Sequence, residues 1–152
     1  MSANDPAEWT LPGLAINRDG EWLHEGEEIT HPGILANLRG NLRRDEGGYF
    51  VRAGPARIPV EVADTPFLVT RVEPDGQTLR LTLNDGTQEP LDPVTLRLAA
   101  GEVPYCRIKG GHWEARLSRA AAWELGQLVL YDERTGEATL RLGGATHHLH
   151  RE

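Results

Sequence analysis

The sequence predicts an α+β fold in which β-structure predominates, built from two related units that each run strand, strand, helix, strand, strand. Three observations predict it. Asp-Gly or Gly-Gly pairs punctuate the chain at "RDG" 18–20, "PDG" 74–76, "NDG" 84–86 and "KGG" 109–111, and these residues tolerate the positive φ that tight hairpins require. Ile58, Val60 and Val62, and again Leu79, Leu81 and Leu83, recur at every second position, so each triplet lies on one strand face and marks a core. Only two stretches carry the 3.6-residue period of a helix, and both occupy the same place in a repeated order.

The elements follow in sequence. Residues 1–13 read as an N-terminal segment, 14–66 as the first repeat half and 67–152 as the second half. In the first half the "RDG" turn leads into a strand carrying Trp22. After "THP", Ile34, Leu35, Leu38 and Leu42 recur at helical spacing, Pro32 suits a first turn and Gly47-Gly48 ends the run, which predicts one short amphipathic helix. Strands then flank the "AGPA" turn, with Arg52 before it and Arg57 after it.

Within the second half, residues 67–103 read as β hairpins alone and 104–150 as the second repeat. The strand through "VPYCRIK" turns at "KGG" into a strand that opens on Trp113. Ser118 suits an N-cap, and Ala121, Ala122, Leu125, Leu128 and Val129 form the second helical stripe. Trp123 stands opposite that stripe, in line with Gln127 and Leu130, so this helix has apolar surface on two sides. The copies correspond at Trp22 and Trp113, at Asp45-Glu46 and Asp132-Glu133, and at Gly54 and Gly143.

Composition narrows the function. Sixteen Lys and Arg stand against 23 Asp and Glu in 152 residues, a formal net charge of -7, so DNA is not an expected partner and any anion site has to be local. No 18-residue apolar run is present, and "MSANDPAEW" lacks the basic and apolar regions of a signal peptide, which leads us to expect a cytoplasmic protein without membrane partners. The single cysteine, Cys106, fits a reducing compartment.

Covalent and cofactor chemistry lack their usual signatures. The chain has no Gly-Lys-Ser/Thr phosphate loop, no Gly-x-Gly-x-x-Gly and no Gly-x-Ser-x-Gly. We expect no cofactor. Cys106 shares a strand face with Ile108, which favours a packed thiol over a nucleophile. His24 beside Glu25 has no second His four positions on, and His148 and His150 share a face that His147 does not, so neither set reaches the three or four ligands of zinc.

The segments "GEWLHEGEEI", "LRRDEGGYFV", "IPVEVADTPFLV", "VPYCRIKGGHWEARLSRAAAWEL" and the late "GG" turn, in that order over nearly the whole chain, resemble the bacterial domain-of-unknown-function 1285 family. The resemblance implies a domain duplication, a second half superficially like a pleckstrin-homology fold, and a nucleotide-like ligand between the halves in a signal-transduction context.

Five arginines, Arg39, Arg43, Arg44, Arg52 and Arg57, gather within residues 39–57 of this acidic chain. Arg43 and Arg44 suit the C-terminus of the first helix through its dipole. Arg52 and Arg57 flank one short turn, where like charges repel unless an acid such as Glu61, or an anion, lies between them. We therefore expect a site for a small anionic or nucleotide-like molecule lined by Arg44, Tyr49, Arg52 and Arg57, with Tyr105 and Arg107 from the second half. The function expected is that of a noncatalytic ligand-binding or regulatory module. Two alternatives stand beside it: a protein-interaction scaffold or homodimer through the Trp123 face, and an enzyme using His24 or His112 with Glu25 or Glu114 as acid and base.

Overall fold

The structure, a computed structural model, describes residues 13–151; the N-terminal segment, apart from Gly13, lies outside the described residues. Sixteen strands and two α-helices are found among them, an α+β fold with β-structure predominating. The chain divides into two compact units after Thr65.

The first unit contains β1 (Leu14–Ile16), β2 (Trp22–His24), β3 (Glu27–Glu28), α1 (Pro32–Gly40), β4 (Leu42–Asp45), β5 (Gly48–Ala53) and β6 (Ala56–Val62). They form one sheet in the order β3-β2-β1-β6-β5-β4. Two antiparallel ribbons, β3-β2-β1 and β4-β5, are joined because β6 pairs antiparallel with β5 and parallel with β1. Pro59, which has no N–H to offer, precedes the first β1 pair, Leu14 with Val60, so no ladder bond between those strands is lost.

One face of this sheet is the core. Alternation brings Leu42, Val51 and Ile58 into one cross-strand row, and all three are buried. Leu14, Ile16, Trp22 and Val60 continue that face, and α1 adds Leu38. The helix starts where expected: His31 is the N-cap, its Nδ1 accepts the N–H groups of Gly33 and Ile34, and Pro32 follows at the first turn.

The helix ends sooner than the apolar spacing predicts. Asn41 is the C-cap, with its N–H on Asn37 O and its Nδ2 donating to the same oxygen, and Leu42 begins a strand. Leu42 fits either period, since it lies four residues after Leu38 and also opposite Val51. Gly47-Gly48 therefore belongs to the β4–β5 hairpin, in which Asp45 stands opposite Gly48, and Arg43 and Arg44 sit on a sheet edge. Arg43 still serves the helix end, because its Nη1 donates to Gly40 O at 3.0 Å.

In the second unit β7 (Phe67–Asp75), β8 (Thr78–Leu83), β9 (Gln88–Pro90), β10 (Arg97–Ala99), β11 (Val103–Ile108) and β12 (Trp113–Leu117) precede α2 (Arg119–Gly126). After α2 come β13 (Val129–Tyr131), β14 (Ala138–Leu142), β15 (Ala145–His148) and β16 (His150–Arg151). Seven strands make one sheet, β16-β10-β11-β12-β7-β8-β9, and three make another, β13-β14-β15. The larger sheet buries Val69, Leu79, Leu81, Leu83, Cys106, Ile108, Ala115 and Leu117. Ser118 caps α2 through Ala121 N–H. Glu124 on that helix accepts Val72 N–H at 3.0 Å, beside the register shift in β7 between Val69 and Arg71.

The repeated order extends to register. Trp22 pairs with Ile16 and Trp113 with Ile108, each Trp opening the second strand of a hairpin that leads towards a helix. The meanders that follow also match: the row Leu42, Val51, Ile58 has its counterpart in Val129, Leu140, His147. Asp45-Glu46 and Asp132-Glu133 both stand at the end of the first strand of a meander, and Gly54 and Gly143 both open its second turn.

Candidate functional site

Burying Leu42, Val51 and Ile58 on one face obliges their neighbours to occupy the other. That outer face carries Arg43, Phe50 and Pro59 in one row and the directly opposed pair Arg52 and Arg57 in the next. Gly54, with φ of 58°, and Pro55 make the two-residue turn that sets this register. Arg52 N–H is used towards β4, on Asn41 O at 2.9 Å. Arg52 and Arg57 are therefore a non-hydrogen-bonded pair, the kind in which facing side chains lie closer.

The two arginines are not equivalent. Arg57 Nη2 lies 2.7 Å from Asp45 Oδ1, and its guanidinium stacks 4.3 Å from the Phe50 ring centroid. Gly47 makes room for that ion pair, since a Cβ there would stand 2.9 Å from Arg57 Nη2 and 3.3 Å from Asp45 Oδ1. Arg52 has no ion pair or side-chain hydrogen bond among the described residues and is exposed. Asp45, not Glu61, is thus the internal acid, and it neutralises one of the two charges.

Arg44 and Tyr49 are not brought to this pair. They oppose each other on β4 and β5, with the Arg44 guanidinium 5.7 Å from the Tyr49 ring, but on the face of Leu42 and Val51. Tyr49 and Arg52 are three residues apart on one strand, and an odd separation puts side chains on opposite faces.

Further along the outer face lies a cleft of about 600 Å³. Ala15, Leu23 and Glu61 form a cross-strand row beneath it, and Asn17 and Ala63 extend its lining. Arg57, Pro59 and Glu61 point the same way along β6, so the arginine pair and the cleft are about 13 Å apart at 3.3 Å per residue.

Tyr105 and Arg107 belong to the second unit. They share a strand face, as expected, yet both are engaged. Tyr105 is only 8% exposed because the Arg97 guanidinium covers its ring at 4.4 Å, and Glu114 holds Arg97 at 2.9 Å. Arg107 Nη1 donates to Gly111 O at 3.2 Å, and its N–H to Thr95 Oγ1 at 3.0 Å. Tyr105 thus stacks on an internal cation. Arg97 was invisible to pattern reasoning, because a three-residue strand supplies no period.

The groups suited to acid and base chemistry are placed as follows. Glu114 is committed to Arg97, and His112 lies exposed in the β11–β12 turn. Glu25 is exposed at φ of 50°, next to His24 at the end of β2. Cys106 is buried, and desolvation, with the charges of Glu89 and Glu114, pushes its thiol up to about 12.

A further cluster ties two turns together: Lys109 Nζ lies 2.8 Å from Asp85 Oδ2, and Glu89 accepts Lys109 N–H. Burial raises the Asp85 carboxyl, but hydrogen bonds from Lys109 and Thr87 and the Lys109 charge outweigh it and hold Asp85 below its ordinary value. No helix among the described residues is long and apolar enough to cross a membrane.

No protein-family model and no curated protein sequence matches the chain. Two solved structures do. A DUF1285 family protein from Silicibacter pomeroyi DSS-3 superposes with a TM-score of 0.74 at 23% identity, over 99% of this chain and 89% of that one. Another from Shewanella baltica OS155 gives 0.63 at 22% identity, over 77% of this chain and 92% of that one. The chain therefore has the fold of DUF1285 family proteins, the family that its sequence motifs resemble.

Proposed function

We propose that the protein is a noncatalytic ligand-binding module that holds a small phosphate-bearing molecule on the outer face of its first sheet. One observation carries the reading: Arg52 and Arg57 face each other in the closer kind of cross-strand pair, and only Arg57 has an acid partner among the described residues. Two guanidinium groups with one carboxylate leave a net positive charge on a chain whose formal charge is -7. A phosphate is the natural counter-ion, since guanidinium forks bind its oxygens bidentately.

The cleft adds shape. Leu23, Ala15 and Ala63 offer apolar surface, and Glu61 offers a carboxylate. A molecule with a phosphate at one end and a flat, partly apolar group about 13 Å away matches both features, which is the description of a nucleotide-like ligand. The fold likeness carries no activity with it.

A thermal-shift screen against phosphate-bearing small molecules, inorganic phosphate included, tests the proposal. A ligand that prefers the folded state raises the unfolding midpoint, and replacing both Arg52 and Arg57 by Gln should remove that rise. A rise that survives the double replacement would place the ligand elsewhere. No rise with any phosphate compound would sink the reading.

A further inference from the structure

The sheet edges are protected unequally. An open edge strand offers unpaired N–H and C=O groups to any other strand, and proteins blunt such edges with charge, proline or polar side chains. β3 is Glu27–Glu28, β4 carries Arg43, Arg44 and Asp45, β9 ends at Pro90, β16 is His150–Arg151, and β15 presents Thr146, His147 and His148. β13, Val129-Leu130-Tyr131, has none of these devices. It is an edge of the three-stranded sheet.

The phase of its ladder fixes which backbone groups are open. Asp132 N–H bonds Glu137 O at 2.9 Å, and Val129, Leu130 and Tyr131 stand opposite Leu140, Thr139 and Ala138. Hydrogen-bonded pairs alternate along an antiparallel ladder, so Leu130 exchanges its bonds with Thr139, while the N–H and C=O groups of Val129 and Tyr131 point away from β14. Two outward residues on either side of an inward one suit pairing of a strand with its own copy about a twofold axis.

We propose that β13 is a self-association edge, on which a second copy of this chain pairs antiparallel with Leu130 on the twofold axis. Val129 of each copy then stands opposite Tyr131 of the other, and their outward groups form four hydrogen bonds. The strand's own sequence fits that occupant. The segment that pairs, Val129–Tyr131, carries no charged side chain, so no like charges face each other within it despite the acidic chain. Three of the four exposed large hydrophobics among the described residues lie on this strand or on α2, the helix that precedes it: Leu130 and Tyr131 on β13 and Trp123 on α2, at 57%, 53% and 68% exposure. Pairing would remove part of that surface from water.

Sedimentation velocity of the full chain over a rising concentration series tests the proposal. A monomer–dimer equilibrium in the micromolar range is expected, as suits a small interface. Leu130→Lys and Leu130→Glu each put like charges on the axis, and each alone should sediment as a monomer at every concentration. Their equimolar mixture should dimerise again. Tyr131→Pro removes an outward N–H while leaving the bonds to β14 in place, so it should be monomeric with wild-type circular dichroism and Tm. A wild-type chain that stays monomeric, a dimer that survives Leu130→Lys, or a mixture of the two charge variants that stays monomeric overturns it.

Discussion

Replacing Arg52 and Arg57 by Gln one at a time separates an arginine held by the fold from one that faces a ligand. Arg57→Gln removes the 2.7 Å contact to Asp45, whose partners are 44% and 49% exposed, and the stack over Phe50. An exposed ion pair contributes about 0.2–1 kcal/mol and an exposed cation–π contact about 0.5–1 kcal/mol. Relief of the repulsion from Arg52 offsets a few tenths, which leaves a loss of about 1 kcal/mol. For a unit of this size that lowers Tm by about 4–8 °C. Arg52→Gln breaks no side-chain bond and relieves the same repulsion, so its effect should stay within about 0.5 kcal/mol of zero, on the stabilising side.

The ligand response reverses this ranking. At a ligand concentration about 100 times Kd, binding stabilises the fold by about 2.7 kcal/mol. Losing one charge-assisted bond of about 2.3 kcal/mol weakens binding about 50-fold. The stabilisation then falls to about 0.6 kcal/mol. Scanning fluorimetry of both variants, with and without the best phosphate compound from the screen, reads both quantities. The reasoning fails if Arg52→Gln lowers Tm as much as Arg57→Gln does, or if it leaves the ligand-induced rise intact.

Three other outcomes follow from the same geometry. Gly47→Ala should push Arg57 off Asp45, because the new Cβ would stand 2.9 Å from Nη2; in a double-mutant cycle of urea midpoints it should cost no more beside Arg57→Gln than Arg57→Gln alone. Asp85 titrates below its ordinary value, so its contribution is complete above that value and is lost as pH falls through the lowered one. Asp85→Asn should reduce the acid-side slope of stability against pH. Keeping the Cys106 thiol neutral favours the fold below its ordinary 9.0, and that contribution is lost as pH rises towards about 12; Cys106→Ala should flatten this alkaline slope, and a thiol reagent at neutral pH should label Cys106 only on unfolding.

Much of the architecture was legible because it rests on local chemistry. All four Asp-Gly and Gly-Gly sites lie in hairpin turns, with Gly20, Gly76, Gly86, Gly110 and Gly111 at positive φ, and Ser118 caps α2 as read. The opposition of Arg52 and Arg57 was legible too, since a two-residue Gly-Pro turn fixes its own register. What failed was the boundary after Leu38, where Leu42 satisfies both a helical and a strand period. With it went the side of Arg44, which depends on Gly47 belonging to a hairpin turn; the side of Tyr49 was legible, since three residues along one strand separate it from Arg52. β10 and β16, of three and two residues, are too short for any pattern, and with them went Arg97 over Tyr105. Which charge Asp45 neutralises is a contact across twelve residues that no periodicity encodes.

The single-strand joint in the first sheet has a consequence for synthesis. Among the described residues β6 is the strand that pairs with both ribbons. As residues 14–53 leave the ribosome they hold two narrow ribbons with no ladder between them, each of a size that is marginal in water. At roughly 5–20 residues per second this interval of about 40 residues lasts about 2–8 s. Until residues 56–62 emerge, Trp22, and later Leu42 and Val51 as each is added, lack the neighbours that bury them. Emergence of residues 56–62 ends that exposure in one step, because the same strand supplies Ile58 to one ribbon and Val60 to the other. The first unit is therefore completed by its last strand, and the pace of translation across that strand sets how long its core waits.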